Sequence, residues 1–293
     1  MTLYPMSFLE FLHATNESLI ADKLSSNKEL IPFNVAIHDK LLKLLTDYLY
    51  VGGMPEAVQS YADNNNIFQA RKIQVEILKA YERDFSKYVT KTEAMKNLSI
   101  WNSIPLQLAK ENKKFLCSKV KKGTRFATYE NSFEWLENAG LINVVRNVKT
   151  PKLPLGGYSD TYKFKIYLLD TGLLGAMLES EPSTIINSQL FSEYKGAFIE
   201  NYVAMELKNC GFEKIFYWTS KSDAEVDFVL RVDNNILPIE VKSGMDRNIK
   251  SLRSYYDKYK PEHIIRLSPR NFDKNGEFLN IALYAPFLIK QVK

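Results

Sequence analysis

The stretch Glu225-Val-Asp-Phe-Val-Leu230, then a turn at Asp233-Asn-Asn235 and Pro238-Ile-Glu-Val-Lys-Ser-Gly244, decides the fold. Side chains alternate faces along a strand, so residues two apart share one. Glu240 and Lys242 therefore project together, while Ile239 and Val241 face a core on the other side. The preceding run puts Val226, Phe228 and Leu230 on its apolar face and Asp227 on the opposite one. If the two runs pair as a hairpin, Asp227 and Glu240 converge on one spot. Two convergent carboxylates are metal ligands suited to Mg2+, or Mn2+ in its place, with several waters retained. Such an ion polarises a phosphodiester and lowers the pKa of an attacking water, with Lys242 stabilising the phosphate charge that develops. Glu225 shares the face of Asp227 and is a further candidate ligand. The plain alternative for Asp227, Glu240 and Lys242 is a salt bridge at an exposed strand end, and for Glu225 a solvated neighbour.

Outward from the hairpin, the pattern gives a helix over residues 193–209, a strand over 214–219, the two hairpin strands, a helix over about 248–259 and a strand over 263–267. Glu200 lies on the first helix, with Gly196 one turn before and Ala204 one turn after, and is a candidate catalytic or second-layer residue. This α-β-β-β-α-β order makes a small mixed α/β domain over residues 190–293. A loop-like stretch ending near Ser192 marks its boundary.

Residues 1–90 read as a helical layer. Apolar residues recur at spacings of three and four from Asp39 to Tyr50 and from Asn66 to Tyr88, with Ile73, Ile77, Tyr81 and Phe85 marking one stripe. Gly52-Gly-Met-Pro55 breaks the pattern and places Pro55 to open the next helix. The helical segment Ser7 to His13 has nothing before it to pack on. Residues 91–178 hold two helices, the second ended by Gly140, and two strands (141–148 and 162–169) around a Pro/Gly-rich loop. Helices followed by a hairpin give a winged-helix-like region, a shape that docks on DNA and serves equally as a protein-interaction module. Its lysine-rich segment carries Lys113, Lys114, Lys119, Lys121, Lys122 and Arg125 against the single acid Glu111, a candidate nucleic-acid contact or a solvated loop. The expected class is α+β.

The 293 residues include 45% hydrophobic and 25% charged side chains, ordinary for a globular protein of about two domains. Net charge is +5, compatible with a nucleic-acid partner and too mild to require one. No apolar run reaches membrane-spanning length and no secretory signal opens the chain, so a cytoplasmic protein is expected. Cys117 and Cys210 stand in unrelated contexts, which supports neither a disulfide framework nor a zinc site. His13, His38 and His263 are scattered, without partners at triad spacing.

Glu200, Asp227 and Glu240-Val-Lys242 in this order resemble the PD-(D/E)xK (restriction-endonuclease-like) phosphodiesterases. Gly196-Ala-Phe-Ile-Glu-Asn201, Ala224-Glu-Val-Asp-Phe-Val229 and Ile239-Glu-Val-Lys-Ser-Gly244 are also similar to the C-terminal domain of unknown function that follows a AAA-type ATPase module in many prokaryotic chains. So are Leu3-Tyr-Pro-Met-Ser-Phe-Leu-Glu-Phe11, Gly52-Gly-Met-Pro55, Asp84-Phe-Ser-Lys-Tyr88 and Tyr167-Leu-Leu-Asp-Thr-Gly-Leu-Leu174. The resemblance implies a nuclease-like domain, with Asp227 and Glu240 on the ion, Lys242 and Glu200 completing the site, DNA as a partner and an ATPase domain as a second. It does not carry ATP hydrolysis onto these residues. The nearest approach to a phosphate-binding loop, Gly244 to Ser251, has Ile249 where the second glycine belongs, and a β-branched residue obstructs that turn.

Overall fold

A computed structural model describes residues 3–87, 89–110, 114–178, 189–220, 224–246 and 248–292. The chain is mixed α and β, with helices dominating the N-terminal part and a mixed sheet the C-terminal part. Two compact units interleave along the sequence. Unit 1 comprises residues 1–7, 48–144 and 165–205, and unit 2 comprises 8–47, 145–164 and 206–293.

Unit 1 is helical. It contains α4 (Pro55–Asn64), α5 (Ile67–Asp84), α6 (Lys91–Leu108), α7 (Cys117–Val120), α8 (Glu130–Asn138) and α9 (Thr171–Met177), with the C-terminal end of α3 (Val35–Val51) and most of α10 (Gln189–Asn209). Local chemistry sets the helix ends. Pro55 opens α4, Asn66 accepts from the N–H groups of Phe68 and Gln69 to start α5, and Thr90 with Glu93 forms a reciprocal capping box on α6. Gly140, at φ +71°, follows the end of α8 as expected. The expected stripe is present in part: Phe85 is buried and Ile73, Ile77 and Tyr81 are half-buried, while Ala70, Gln74 and Leu78 form a more deeply buried face beside it. Gln74 takes a core position because its amide donates to the carbonyls of both Tyr50 (2.9 Å) and Val51 (2.7 Å).

The Gly52-Gly53 turn is locked in the same unit. Asp170 is fully buried, and its carboxylate accepts from Gly53 N–H (2.6 Å) and caps α9 at Leu173 N–H (2.8 Å). Gly52 has φ +68°, and a Cβ there would lie 2.3 Å from Asp170 Oδ1. Only glycine satisfies both constraints.

Unit 2 carries the sheet, whose order is β2-β1-β3-β4-β5-β6-β8-β7. The strands are β1 (Ile142–Val148), β2 (Ser159–Leu168), β3 (Phe216–Thr219), β4 (Glu225–Val232), β5 (Asn235–Val241), β6 (Ile264–Ser268), β7 (Asp273–Asn275) and β8 (Phe278–Ala282), with residues 145–148 and 159–164 of the first two in this unit. The β4–β5 hairpin is present in the expected register. Val232 pairs with Asn235, and the two-residue turn between them starts at Asp233, whose φ of +52° suits the tight hairpin turn. The two strands anticipated at 141–148 and 162–169 are also present, and the first pairs in parallel with β3 through Arg146, Asn147 and Val148. Helix α11 (Lys250–Tyr259) packs on β4, β5 and β6, placing Leu252 and Tyr255 against Trp218, Val229 and Ile264. Here too α1 (Phe8–Ala14) finds its packing partners. Phe8, Phe11 and Leu12 are fully buried, and the Phe8 N–H donates to Glu206 Oε1 at 2.8 Å. The boundary expected near Ser192 falls where the structure describes no side chains, and Lys113 also lies outside the described residues. Among the described residues no helix is long and apolar enough to cross a membrane.

Candidate functional site

The hairpin sets the Asp227 carboxylate on the backbone between Glu240 and Lys242, which pair with each other. Phe228 pairs with Ile239, which leaves Asp227 at the margin of the ladder beside the end of β5. There Asp227 Oδ2 accepts from the backbone N–H of Val241, at 2.8 Å, and Val241 is the residue between Glu240 and Lys242. An irregularity in β4 sets this placement. Phe216 pairs with Val229 but Trp218 with Val226, so two steps along β3 match three along β4, and the extra residue falls around Asp227. A bulge of this kind bends a strand and re-aims a side chain.

Glu240 is 5% exposed. Its Oε1 lies 2.8 Å from Lys242 Nζ, as the two-residue period requires, and its Oε2 is buried with no hydrogen-bond partner. A buried carboxylate oxygen in that state is costly unless something positive or protic meets it. Asp227 and Lys242 are half-buried, so the site opens to solvent on their side. The donor set suits a hard cation that keeps most of its waters, because two carboxylates contribute a few oxygen ligands and no nitrogen or sulfur. Among the described residues no group of three or more His, Cys, Asp and Glu side chains stands together as a metal site, so any ion here rests on this pair.

Glu200 belongs to unit 1, on α10. It is buried, accepts from Tyr167 Oη at 3.0 Å and lies 3.8 Å from Nζ of Lys165, a lysine only 1% exposed. Beside it Asn201 holds the end of β2 through both its amide atoms, to Leu168 N (2.7 Å) and Leu168 O (3.2 Å). The Glu200-Asn201 pair thus faces the protein interior rather than a solvated helix surface.

Sequence reasoning missed the neighbours of Glu240 on the other side. In the parallel register Glu240 pairs with Arg266 of β6, and Arg266 with Asn280 of β8, which makes a buried polar row across three strands. Arg266 Nε donates to Asn280 Oδ1 at 2.7 Å, and Ser268 Oγ donates to the same oxygen at 2.7 Å. The signal in the sequence is a lone arginine inside the apolar run Ile264-Ile-Arg-Leu267, where only a satisfied cation can be tolerated.

The cationic candidates Lys119, Lys121, Lys122 and Arg125 lie around α7 in unit 1 and are exposed, while Lys114 is half-buried. Exposure is what a phosphate contact requires, and what a solvated loop has as well. Cys117 and Cys210 are both free thiols.

Two family comparisons match this architecture. Residues 42–184 match the family described as Domain of unknown function (DUF8612), and residues 195–285 match Domain of unknown function (DUF4143). The chain is also similar to Uncharacterized protein MJ1544 of Methanocaldococcus jannaschii, at 26% identity over 270 residues, covering 85% of this chain and 52% of that one. No solved structure matches the chain. The chain therefore spans about half the length of the curated relative it matches, and the residues matched by the second family, 195–285, include Asp227, Glu240 and Lys242.

Proposed function

We propose that this protein acts on nucleic acid through a nuclease-like, magnesium-dependent site of the PD-(D/E)xK type at Asp227, Glu240 and Lys242, with the winged-helix-like region over residues 91–178 docking on DNA. The observation that carries this is the buried, unpartnered Glu240 Oε2, set beside Asp227 at a strand irregularity. Asp227 and Glu240 would hold the ion. A bound magnesium ion supplies Lewis acidity and a water of lowered pKa. The residues of the chain supply the rest. The Val241 N–H fixes the Asp227 carboxylate in one orientation, so little ordering remains when a ligand arrives. Lys242, anchored on Glu240, places an ammonium where negative charge grows on a phosphate as its bond to the leaving oxygen breaks. Lys119, Lys121, Lys122 and Arg125 would bind the phosphate backbone without reading sequence.

The alternative is a catalytically inactive module that binds DNA or protein and regulates an AAA-type ATPase. It is favoured by the Lys242–Glu240 ion pair itself, since the ammonium already neutralises one carboxylate oxygen that an ion would use. Calorimetric titration with magnesium and manganese separates the two. Ion binding by the wild type that disappears in an Asp227→Ala/Glu240→Ala double variant is the expected result, and ion-dependent cleavage lost in Asp227→Ala follows from it. Wild-type protein that takes up neither ion leaves the regulatory module as the function.

A further inference from the structure

We propose that a separate pocket of unit 2, ringed by Lys28, Lys274 and His263, binds a small organic carboxylate through its head group and a short apolar body. The pocket has a volume of about 200 Å³. Its wall is assembled from four stretches of chain remote in sequence: residues 28–30, His263, the β7–β8 hairpin and the C-terminal helical turn Pro286–Gln291 with Val292. No part of it belongs to the Asp227 and Glu240 site, so it stands or falls independently of the nuclease-like function.

The wall combines charged and apolar chemistry. Lys28 and Lys274 bring two ammonium groups against the one carboxylate of Glu29, a balance of +1 that matches a monoanion better than a dianionic phosphate ester. His263 and Gln291 add groups able to donate to its oxygens. The lining also includes Leu279, Leu288 and Val292, each less than 10% exposed, which supply apolar surface. A lining that combines charged and apolar side chains suits a ligand with a polar head and an apolar body, and 200 Å³ admits a short chain rather than a peptide or a nucleotide.

The wall is also built rather than incidental. Leu30 has φ +57°, a conformation that a bulky side chain adopts only when its surroundings impose it. Asn27 imposes it by gripping Ile31 twice, with Oδ1 accepting from Ile31 N–H and Nδ2 donating to Ile31 O, both at 2.9 Å. The clamp holds residues 28–30 in place at the mouth of the pocket. Strain maintained by a dedicated side chain, at the edge of a charged pocket, is the pattern found where a backbone segment is pre-organised for a ligand.

The test is an NMR titration of the 293-residue chain, labelled at histidine and at leucine and valine methyls, with butyrate, acetate, butylammonium and inorganic phosphate as probes. Butyrate is expected to shift the His263 ring and the Leu279, Leu288 and Val292 methyls together, and to bind about tenfold more tightly than acetate, because its two additional CH2 groups reach the apolar surface. Butylammonium should leave these signals unmoved. A Lys28→Ala/Lys274→Ala variant alters only exposed side chains and should weaken butyrate by about tenfold or more. Equal affinity for acetate and butyrate, displacement of butyrate by equimolar phosphate, or undiminished butyrate binding in the double variant would each overturn the proposal.

Discussion

Glu206 lies fully buried at the end of α10, in unit 2, with its carboxylate oxygen on the Phe8 N–H. Burial pushes its pKa from 4.5 up to about 8, the Phe8 hydrogen bond opposes the rise and the nearby Glu10 adds to it. The consequence for stability has a definite sign. Between pH 4.5 and about 8 the folded state holds a proton that the unfolded chain has released, so stability falls as pH rises through that window. Glu206→Gln keeps an oxygen acceptor for Phe8 and removes the titration. The variant should therefore lose less stability than wild type between pH 5 and 8.5, with a difference on the order of 4 kcal/mol by urea denaturation at the two values. Parallel losses in both proteins would show that Glu206 does not titrate in this range.

At the scale of elements, the Gly52-Gly53 turn and α9 act as one piece because Asp170 bonds both. Gly52→Ala puts a methyl carbon into Asp170 at a positive φ, so the turn and the α9 cap must shift together. A loss of about 3 kcal/mol or more in urea midpoint stability is expected, beyond the roughly 1 kcal/mol that a positive φ alone imposes on alanine. A smaller loss would mean that the carboxylate can move aside. Helix α5 shows why the sequence pattern identified the helix and part of its inward face but missed the deepest part of it. Periodicity counts apolar residues, and Gln74 is invisible to it, yet its two donated hydrogen bonds to residues 50 and 51 put that face of the helix inward. Strand β4 shows the same limit. Alternation correctly separated Asp227 from Val226 and Phe228, but the extra residue that re-aims Asp227 exists only relative to β3.

For the molecule as a whole, the exposed Lys119, Lys121, Lys122 and Arg125 give the proposed DNA interaction a measurable signature. If they contact phosphates, log affinity for duplex DNA falls linearly with log salt, and replacing all four with alanine lowers the slope by roughly 3 to 4. Fluorescence anisotropy across a salt series measures this directly. An unchanged slope would assign these residues to solvent alone, and DNA binding would then have to be sought on other surfaces.

The sequence by itself determined the helical N-terminal part, the hairpin with its Asp233-Asn234 turn, most strands of the mixed sheet and the pairing of Glu240 with Lys242. Each of these follows from interactions between residues close in sequence: side-chain alternation, helix periodicity, caps and turn geometry. Only the tertiary structure decided that α1 is held by Glu206, 198 residues away, that β1 joins the sheet beside β3, and that Arg266 and Asn280 continue the polar row from Glu240. It also decided that Glu200 is buried against Tyr167 and Lys165. These are contacts between distant segments, chosen by which buried polar groups can satisfy one another, and no local pattern in the chain encodes that choice.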